Sequence, residues 1–486
     1  MNTRDAWRKR LVIAFRDGVR YAADDPGGPH LSVPPYPPIP LGGLAPQMLA
    51  GLARLAGGGG TEEEIAEAVD QGAEPWAVAA FLFHLRRFET LRLLSFAVRS
   101  AGTRLCTLNP ISGWFDFAAA PVDPGHAYVL SRFAYQRRDG AGMVLESPRS
   151  HGKLRLEDPR AAALLLALSR PGALGALVAA VPGLPFDEAE AMLGLLVSAG
   201  FALAVQDAGL TEEESTPRLA PWSFHDLLFH ARSRLGRHAE PNGKTFPFRD
   251  RLAPLPAVRP AGDEEGREVI PLWRPDLDAI AAADPPFSRV LEGRRTLRAQ
   301  GAEPISVETL SEFLYRSARM RSRTGPVPLA EIGYEVSNRP YPSGGACYDI
   351  ELYLAVDRCR GLDSGLYHYD PERHALTRRS ARTPEVESIL VGATYATMSP
   401  APPQIVICMA SRFQRVAWSY EGISYAVTLK NAGVLYQTFY LVATAMGLAC
   451  CGVGRGDSDN FARAAGTDYF AETTVGEFLI GSGPET

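Results

Sequence analysis

Residues 418–449 have the sequence WSYEGISYAVTLKNAGVLYQTFYLVATAMGLA, and the expected fold of the C-terminal part of the chain is built around it. From Thr428 onward this stretch is mostly apolar, which predicts a helix of about 20 residues at the centre of the domain or at an interface. Before it, the unbroken apolar run APPQIVICMA (401–410) predicts a buried strand. After it, TTVGEFLIG (473–481) predicts the last strand.

Helices and strands alternate from about residue 286 to the end. VETLSEFLYRSARM (307–320) predicts a helix, ACYDIELYLAVDR (346–358) a strand and GLYHYDPERHAL (365–376) a hairpin. This order predicts an α+β domain over 286–486, with a mixed sheet flanked by helices. No G-x-G-x-x-G motif follows a strand, which excludes a dinucleotide-binding fold. GVGRG (452–456) follows the predicted helix and is either a turn or a phosphate or flavin contact.

The N-terminal half predicts two winged-helix-like modules, 1–120 and 121–210. In each, three short helices are associated with strand-like segments, and in the first the three helices precede a hairpin. DNA-binding versions read bases with polar residues on the last helix. Here the matching helices are apolar or acidic, so the modules are expected to bind peptide or protein. Residues 211–285 are predicted to be a linker with a short helix.

Composition excludes several classes of function. The net charge of −5 makes nucleic acid a poor partner. The six cysteines show no C-x₂-C spacing, so we expect reduced, buried thiols and no metal site. No apolar run is long enough for a signal peptide or a membrane helix, which predicts a cytoplasmic protein. The chain has only four lysines, namely Lys9, Lys153, Lys244 and Lys430.

Five segments in order carry a family resemblance: RRTLR (294–298), RPYPSGGACYDIELYLAV (339–356), GLYHYDPERHAL (365–376), the 418–449 stretch and VGEFLIG (475–481). Together they resemble the SagB-type, McbC-like azoline dehydrogenases of the nitroreductase superfamily. Those flavoenzymes work with YcaO cyclodehydratases in making ribosomal azole peptides such as thiopeptides.

The resemblance implies an activity and a set of partners. It implies FMN-dependent oxidation of peptide thiazolines to thiazoles, with oxazolines as a second substrate class and dioxygen as the acceptor that reoxidises the flavin. It also implies a homodimer with the flavin between two subunits. The N-terminal modules would bind the precursor peptide or the partner synthetase.

The resemblance also implies which residues contact FMN. An arginine fork and a hydroxyl suit the phosphate dianion, and glycines allow the backbone to approach the flavin ring. The implied contacts are Arg294, Thr296, Arg298, Pro342, Ser343, Gly344, Gly345, Gly454 and Arg455.

Oxidation of the azoline ring removes a proton from the former Cα and a hydride from the adjacent CH₂, so a base is required. The family is known for a Lys-Tyr pair, and the matching residues here are Ser419 and Tyr420. A lone tyrosine, with a pKa near 10, is a poor base at neutral pH unless a cation lowers that pKa. Lys430 is the candidate cation, although a surface position or a pairing with a carboxylate is the favoured explanation for this residue.

Two other functions remain open from the sequence. One is a general nitro or quinone reductase that uses NAD(P)H, which rapid flavin reduction by a nicotinamide would favour. The other is a non-catalytic flavin-fold scaffold of the synthetase complex, which a colourless but partner-binding protein would favour.

Overall fold

The computed structural model describes residues 3–42, 44–70, 76–260, 265–329, 332–399 and 401–484. It divides into two compact units, Met1–Glu240 and Pro241–Thr486. In the described ranges, no helix combines the length and the apolar character that crossing a membrane requires.

The first unit combines short helices with three antiparallel sheets. Its strands and helices are β1 Val12–Phe15, β2 Arg20–Ala22, β3 His30–Ser32, β4 Ile39–Pro40, α1 Pro46–Ala56, α2 Glu62–Asp70, α3 Ala77–Thr90, β5 Leu94–Ser100, β6 Thr103–Pro110, β7 Ala127–Leu130, β8 Tyr135–Asp139, β9 Gly142–Glu146, β10 Gly152–Leu156, α4 Pro159–Ala167, β11 Gly172–Ala173, α5 Leu174–Ala179, α6 Phe186–Ser198, β12 Ala202–Ala204, α7 Glu212–Ser215 and α8 Phe224–Arg232.

The largest sheet of this unit has the order β1-β5-β6-β10-β9-β8. Three helices, α1 to α3, precede the β5-β6 hairpin, which is the element order predicted for the first module. Strand β10, from the second predicted module, pairs with β6 from the first, so both contribute to one sheet. The division of this region at residue 120 stays a prediction.

The second unit is built on a seven-stranded sheet with helices on both faces. Its elements are β13 Val269–Pro271, α9 Leu277–Ala283, α10 Phe287–Gly293, α11 Val307–Ala318, β14 Ser322–Leu329, β15 Ile332–Asn338, β16 Ile350–Val356, β17 Gly365–Asp370, β18 Ala375–Ala381, α12 Pro384–Thr397, β19 Ile405–Arg412, α13 Gln414–Ala417, α14 Ser424–Ala445, β20 Ala449–Val453, α15 Ser458–Ala465 and β21 Glu472–Gly481.

The seven strands have the order β13-β18-β17-β16-β19-β21-β20. The α+β class and the helix-flanked sheet are confirmed, but every described pairing in this sheet is antiparallel, which corrects the mixed sheet expected from the sequence. The reason is local: β16, β17 and β18 follow one another through short connections, and such connections join antiparallel neighbours. Strands β16 and β19 are buried along their whole length, because α11 and α14 cover one face and α12 and α15 the other.

The segment 241–259, part of the predicted linker, is bound into the second unit. The buried Trp418 donates from Nε1 to the carbonyl of Leu252 at 2.7 Å, and the buried Arg415 donates to the carbonyl of Leu255 at 2.7 Å. Further along, β13 joins the edge of the seven-stranded sheet. The predicted linker 211–285 is therefore divided between the two units, with α7 and α8 in the first.

Candidate functional site

The segment Arg294–Arg298 runs along strand β20 immediately after α10. The Leu297 N–H donates to the carbonyl of Cys450 at 2.9 Å, which fixes the register of the segment. Thr296 Oγ1 lies 3.3 Å from the hydroxyl of Tyr440 on α14, and the Arg294 guanidinium lies 5.3 Å from the centre of the same ring.

The charges of this segment suit a phosphate group. Among the described residues, no carboxylate forms an ion pair with Arg294, Arg295 or Arg298. Three uncompensated guanidinium groups and the Thr296 hydroxyl thus lie within five consecutive residues. Arginine forks bind phosphate oxygens in pairs, so the donor set fits the phosphate of FMN.

The glycine-rich segment GVGRG (452–456) begins inside β20, because this strand ends at Val453. The expectation that the segment follows a helix directly is therefore wrong. Tyr440 accepts the Gly452 N–H at 2.7 Å, so this segment meets Arg294–Arg298 through one tyrosine. Gly454 lines a cavity of about 410 Å³ together with Leu429 and Tyr436 of α14. Arg455 lines a second cavity, of about 660 Å³, against α12 and α15.

Glu477 on β21 borders both of these cavities. Its carboxyl group is buried and accepts a hydrogen bond from Thr474 Oγ1 at 2.6 Å. Burial raises the pKa of Glu477, and the hydrogen bond from Thr474 opposes that rise only in part. The two cavities therefore meet at a carboxyl group that is harder to ionise than an ordinary glutamate.

The loop Pro342–Gly345 is held against α14 by a buried polar network. The Gly344 N–H donates to Asn431 Oδ1 at 2.9 Å, and Asn431 Nδ2 donates to Asp349 at 2.7 Å. The buried Asp349 also accepts hydrogen bonds from the hydroxyls of Ser411 at 2.6 Å and Thr428 at 2.9 Å. The amide oxygen of Asn431 accepts one hydrogen bond and its amide nitrogen donates another. These two bonds fix the orientation of the side chain, and with it the distance between the loop and α14.

Gly345 is a position where a side chain cannot be accommodated. Its φ of +61° lies in the left-handed region, and an added Cβ would lie 2.6 Å from the hydroxyl of Tyr420. A Cβ added at Gly344 would likewise lie 2.5 Å from Val427 Cγ1. The loop backbone therefore packs directly on Tyr420, which brings Ser343, Gly344 and Gly345 together with the predicted base. Ser343 Oγ in turn accepts the N–H of Tyr348 at 3.0 Å, which closes the loop.

Tyr420 has a lysine neighbour that the sequence analysis did not assign. The ammonium group of Lys244 lies 6.0 Å from the centre of the Tyr420 ring and 5.5 Å from that of Phe246. Backbone hydrogen bonds of 3.0 and 2.9 Å join Gly243 and Glu421 in both directions. Because this bridge flanks both residues, Lys244 and Tyr420 are held side by side.

The environment of Tyr420 opposes ionisation. Burial raises the pKa of its phenol, and the nearby Cys347 adds to the rise. Lys430, the predicted cation, is exposed on α14 and makes no described contact with Tyr420. Its catalytic role stays a prediction.

The predicted site residues form two clusters rather than one. Arg294, Thr296 and the glycine segment gather around Tyr440, whereas the Pro342–Gly345 loop gathers around Tyr420 and Asn431. Along α14, Asn431 and Tyr440 are nine residues apart, which is about 13 Å at the rise of an α-helix. One helix therefore carries both clusters.

Two family models match the chain. The nitroreductase family model matches residues 291–481, which contain both clusters. Over these residues the chain is similar to the nitroreductase family. A second model, the cyanobactin oxidase ThcOx, matches residues 128–239 in the first unit.

Three relatives extend these matches. A putative nitroreductase of Methanocaldococcus jannaschii is 29% identical over 187 residues, which is 38% of this chain and 85% of the relative. The microcin B17-processing protein McbC of Escherichia coli is 31% identical over 115 residues, 23% of this chain and 42% of McbC. The trifolitoxin-processing protein TfxB of Rhizobium leguminosarum is 29% identical over 147 residues, 30% of this chain and 38% of TfxB.

The chain thus spans most of the first relative but less than half the length of the two processing proteins. One polypeptide thus matches the nitroreductase family model and the cyanobactin oxidase model, and it is similar to two peptide-processing proteins. The resemblance to McbC-like enzymes predicted from the sequence is confirmed.

Proposed function

We propose that this protein is an FMN-dependent dehydrogenase that oxidises thiazoline rings, with oxazolines as a second substrate class, in a ribosomally made precursor peptide. The observation that carries the proposal is the nitroreductase-family domain joined in one chain to a region that matches a cyanobactin oxidase. Similarity to McbC and TfxB, both named as peptide-processing proteins, supports the same substrate class.

FMN is the proposed cofactor. Arg294, Thr296 and Arg298 would hold its phosphate, while Pro342–Gly345 and Gly454–Arg455 would line the ring as the resemblance implies. The donor set around Thr296 supports this assignment, since its arginines have no described carboxylate partner. When bound, FMN supplies an acceptor for the hydride from the ring CH₂, and dioxygen is the proposed final acceptor.

The arginine pair can be tested by flavin content. We expect Arg294→Ala/Arg298→Ala to lower the flavin bound per chain by about tenfold or more, because two charge-assisted contacts to the phosphate are lost. Absorbance of the purified protein near the flavin bands measures this. As a control, Arg358→Ala/Arg373→Ala removes the same charge from exposed positions of the same unit. Equal flavin content in both double variants would contradict the assignment.

Tyr420 is the proposed base that removes the proton from the former Cα. Its ring lies under the loop Pro342–Gly345 and beside Lys244. Because burial raises the pKa of the phenol, a neighbouring cation is needed to favour the phenolate, and Lys244 is positioned to supply that charge. Tyr420 would thus take the proton while the adjacent CH₂ delivers the hydride, which accounts for both hydrogens lost per ring.

The decisive experiment is mass spectrometry of a cyclised azoline peptide incubated with the purified protein in air. The proposal requires the loss of two hydrogen atoms per ring. An unchanged peptide, with flavin present on the protein, would reject the activity.

The tyrosine is tested in the same assay. Tyr420→Phe keeps the ring that packs against Gly345 but removes the hydroxyl, so the flavin should stay bound. We expect azole formation to slow by about 100-fold or more, the usual contribution of a positioned base. Unchanged turnover would remove Tyr420 from the mechanism.

A second candidate function is a nitro or quinone reductase that uses NAD(P)H. The similarity to a putative nitroreductase over 85% of that relative's length favours it. Stopped-flow reduction of the bound flavin by NADPH distinguishes the two candidates, since fast reduction with no azoline oxidation would select this one.

The partners follow from the proposed activity. We propose a homodimer formed through the exposed side of α14, where Tyr425 is 47% exposed and Leu429 is 36% exposed, an unusual state for apolar residues on a central helix. A YcaO cyclodehydratase would supply the azoline, and the first unit would bind the precursor peptide or that synthetase.

A further inference from the structure

A basic cavity of about 470 Å³ opens in the first unit, between the β9-β10 turn and the residues around α8. Its volume lies within the range of ordinary ligand sites. Arginine and apolar side chains line it together, and those that matter here are Arg149, Arg218, Arg234, Arg237, Trp222 and Leu235. In a chain of net charge −5, four arginines around one concavity are unexpected.

The walls of this cavity are held by polar contacts that centre on the buried Glu213. Glu213 is 1% exposed and accepts a hydrogen bond from Arg149 at 2.6 Å. The same carboxylate accepts hydrogen bonds from Ser131 Oγ at 2.6 Å and from the Arg132 N–H at 2.9 Å. The Arg132 guanidinium then donates to the carbonyl of Trp222 at 2.9 Å. The cavity is therefore shaped before any ligand arrives.

Two of the four arginines keep an uncompensated charge. Arg149 and Arg218 both pair with Glu212, and Arg149 also pairs with Glu213. Arg234 and Arg237 form no ion pair within the described part of the chain. Arg237 is nevertheless positioned, since it donates to the carbonyl of Arg149 at 3.1 Å. The cavity thus offers two guanidinium groups without a described carboxylate partner beside an apolar wall.

We propose that this cavity binds an acidic segment of a peptide, with carboxylates on Arg234 and Arg237 and an apolar side chain against Trp222 and Leu235. Leu235 is 80% exposed, so an apolar side chain packed against it would remove apolar surface from water, which favours binding. A small inorganic anion would use the arginines but not this wall. The proposal rests on the proposed function, because the peptide would belong to the precursor that the protein oxidises.

Direct binding to the full-length protein tests the proposal. The probe is a fluorescein-labelled peptide of alternating Glu and Leu, and its twin carries Gln in place of Glu. We expect Arg234→Ala/Arg237→Ala to weaken binding of the acidic peptide by about tenfold or more, through loss of two desolvated charge contacts. The matched control is Arg138→Ala/Arg170→Ala, which removes the same charge from exposed positions of the same unit outside the cavity. This control should bind like the unmodified protein.

Three outcomes would overturn the proposal: no binding of the acidic peptide, equal weakening in both double variants, or equal affinity for the Gln twin. Displacement of the peptide by inorganic phosphate, at an ionic strength at which chloride leaves the peptide bound, would assign the cavity to small anions instead.

A second assay measures the oxidation of a short azoline peptide that has no acidic residues. Its result shows whether the cavity assignment or the proposed activity has failed. If oxidation proceeds in all variants while binding does not discriminate between them, the cavity assignment fails alone. If the acidic peptide binds as expected and no variant removes hydrogen from the ring, the proposed activity fails alone.

Discussion

Lys244 lies beside Tyr420 although the two residues are far apart in the sequence. The position before Tyr420, where the family has a lysine, is the buried Ser419. The Phe246 N–H donates to the carbonyl of Ser419 at 3.2 Å, so the segment that carries Lys244 runs beside the tyrosine. Sequence patterns could single out Tyr420 as a candidate base from its motif. They could not identify Lys244, because the pairing that places it joins residues about 180 positions apart in the chain.

Replacing Lys244 by Met tests its contribution to the chemistry. A unit charge about 6 Å from the ring centre changes the ionisation equilibrium of the phenol by about threefold in a solvent-exposed setting. We therefore expect Lys244→Met to lower kcat for azoline oxidation by about threefold and leave flavin binding intact.

The pH profile separates this electrostatic role from a structural one. Without the cation the pKa of Tyr420 rises further, so the limb on which the rate increases with pH should move to higher pH. Lys244→Arg should keep the profile, and Arg249→Ala, a loss of charge in the same segment, should change neither rate nor profile. A lower rate with an unmoved profile would show that Lys244 acts only through packing.

At the scale of elements, α14 organises the second unit. Its existence, length and apolar character are predictable from 418–449, but it spans Ser424–Ala445 rather than starting at Thr428. The helix ends because Gly447 adopts a φ of +67° and the Leu448 N–H returns to the carbonyl of Ala443 at 2.9 Å. The apolar run then continues as β20, and hydrophobicity alone does not mark that change.

Asp349 is the residue that ties α14 to the sheet and to the Pro342–Gly345 loop. We expect Asp349→Ala to lower the free energy of unfolding by about 3 kcal/mol, because three buried donors lose a charged acceptor. Urea denaturation of the full chain measures the loss. Asp363→Ala, at a side chain that is 83% exposed, should change stability little. Equal stability of the two variants would show that Asn431 and its neighbours find other acceptors.

For the whole molecule, the sequence predicted N-terminal modules followed by a C-terminal domain that carries the chemistry, and the structure divides the chain into two units at residue 240. It did not indicate that the six-stranded sheet combines strands of both predicted modules, because β6 and β10 pair across some fifty residues. It also treated 241–259 as a connection, although its carbonyls bond the buried Trp418 and Arg415. Polar backbone contacts of this kind leave no periodic pattern in sequence.

The proposed homodimer can be tested by a substitution on the exposed side of α14. Leu429→Glu places a charge on the exposed side of α14, where the second copy is expected to pack, and should convert the dimer to a monomer at micromolar concentration. Light scattering after gel filtration measures the mass. Leu166→Glu, at a leucine that is 74% exposed on α4, should leave the mass unchanged. A monomeric unmodified protein would contradict the dimer.

Residues 241–259 form hydrogen bonds within the second unit, and these contacts determine where the chain can be joined to part of another protein. A hybrid enzyme joined at residue 285, where composition changes, would lose Lys244 and the carbonyls that hold Trp418 and Arg415. A junction placed just before Pro241 keeps them all. An exchange of the first unit for that of another protein must therefore leave in place about forty-five residues, 241–285, that the sequence alone predicts to be a linker.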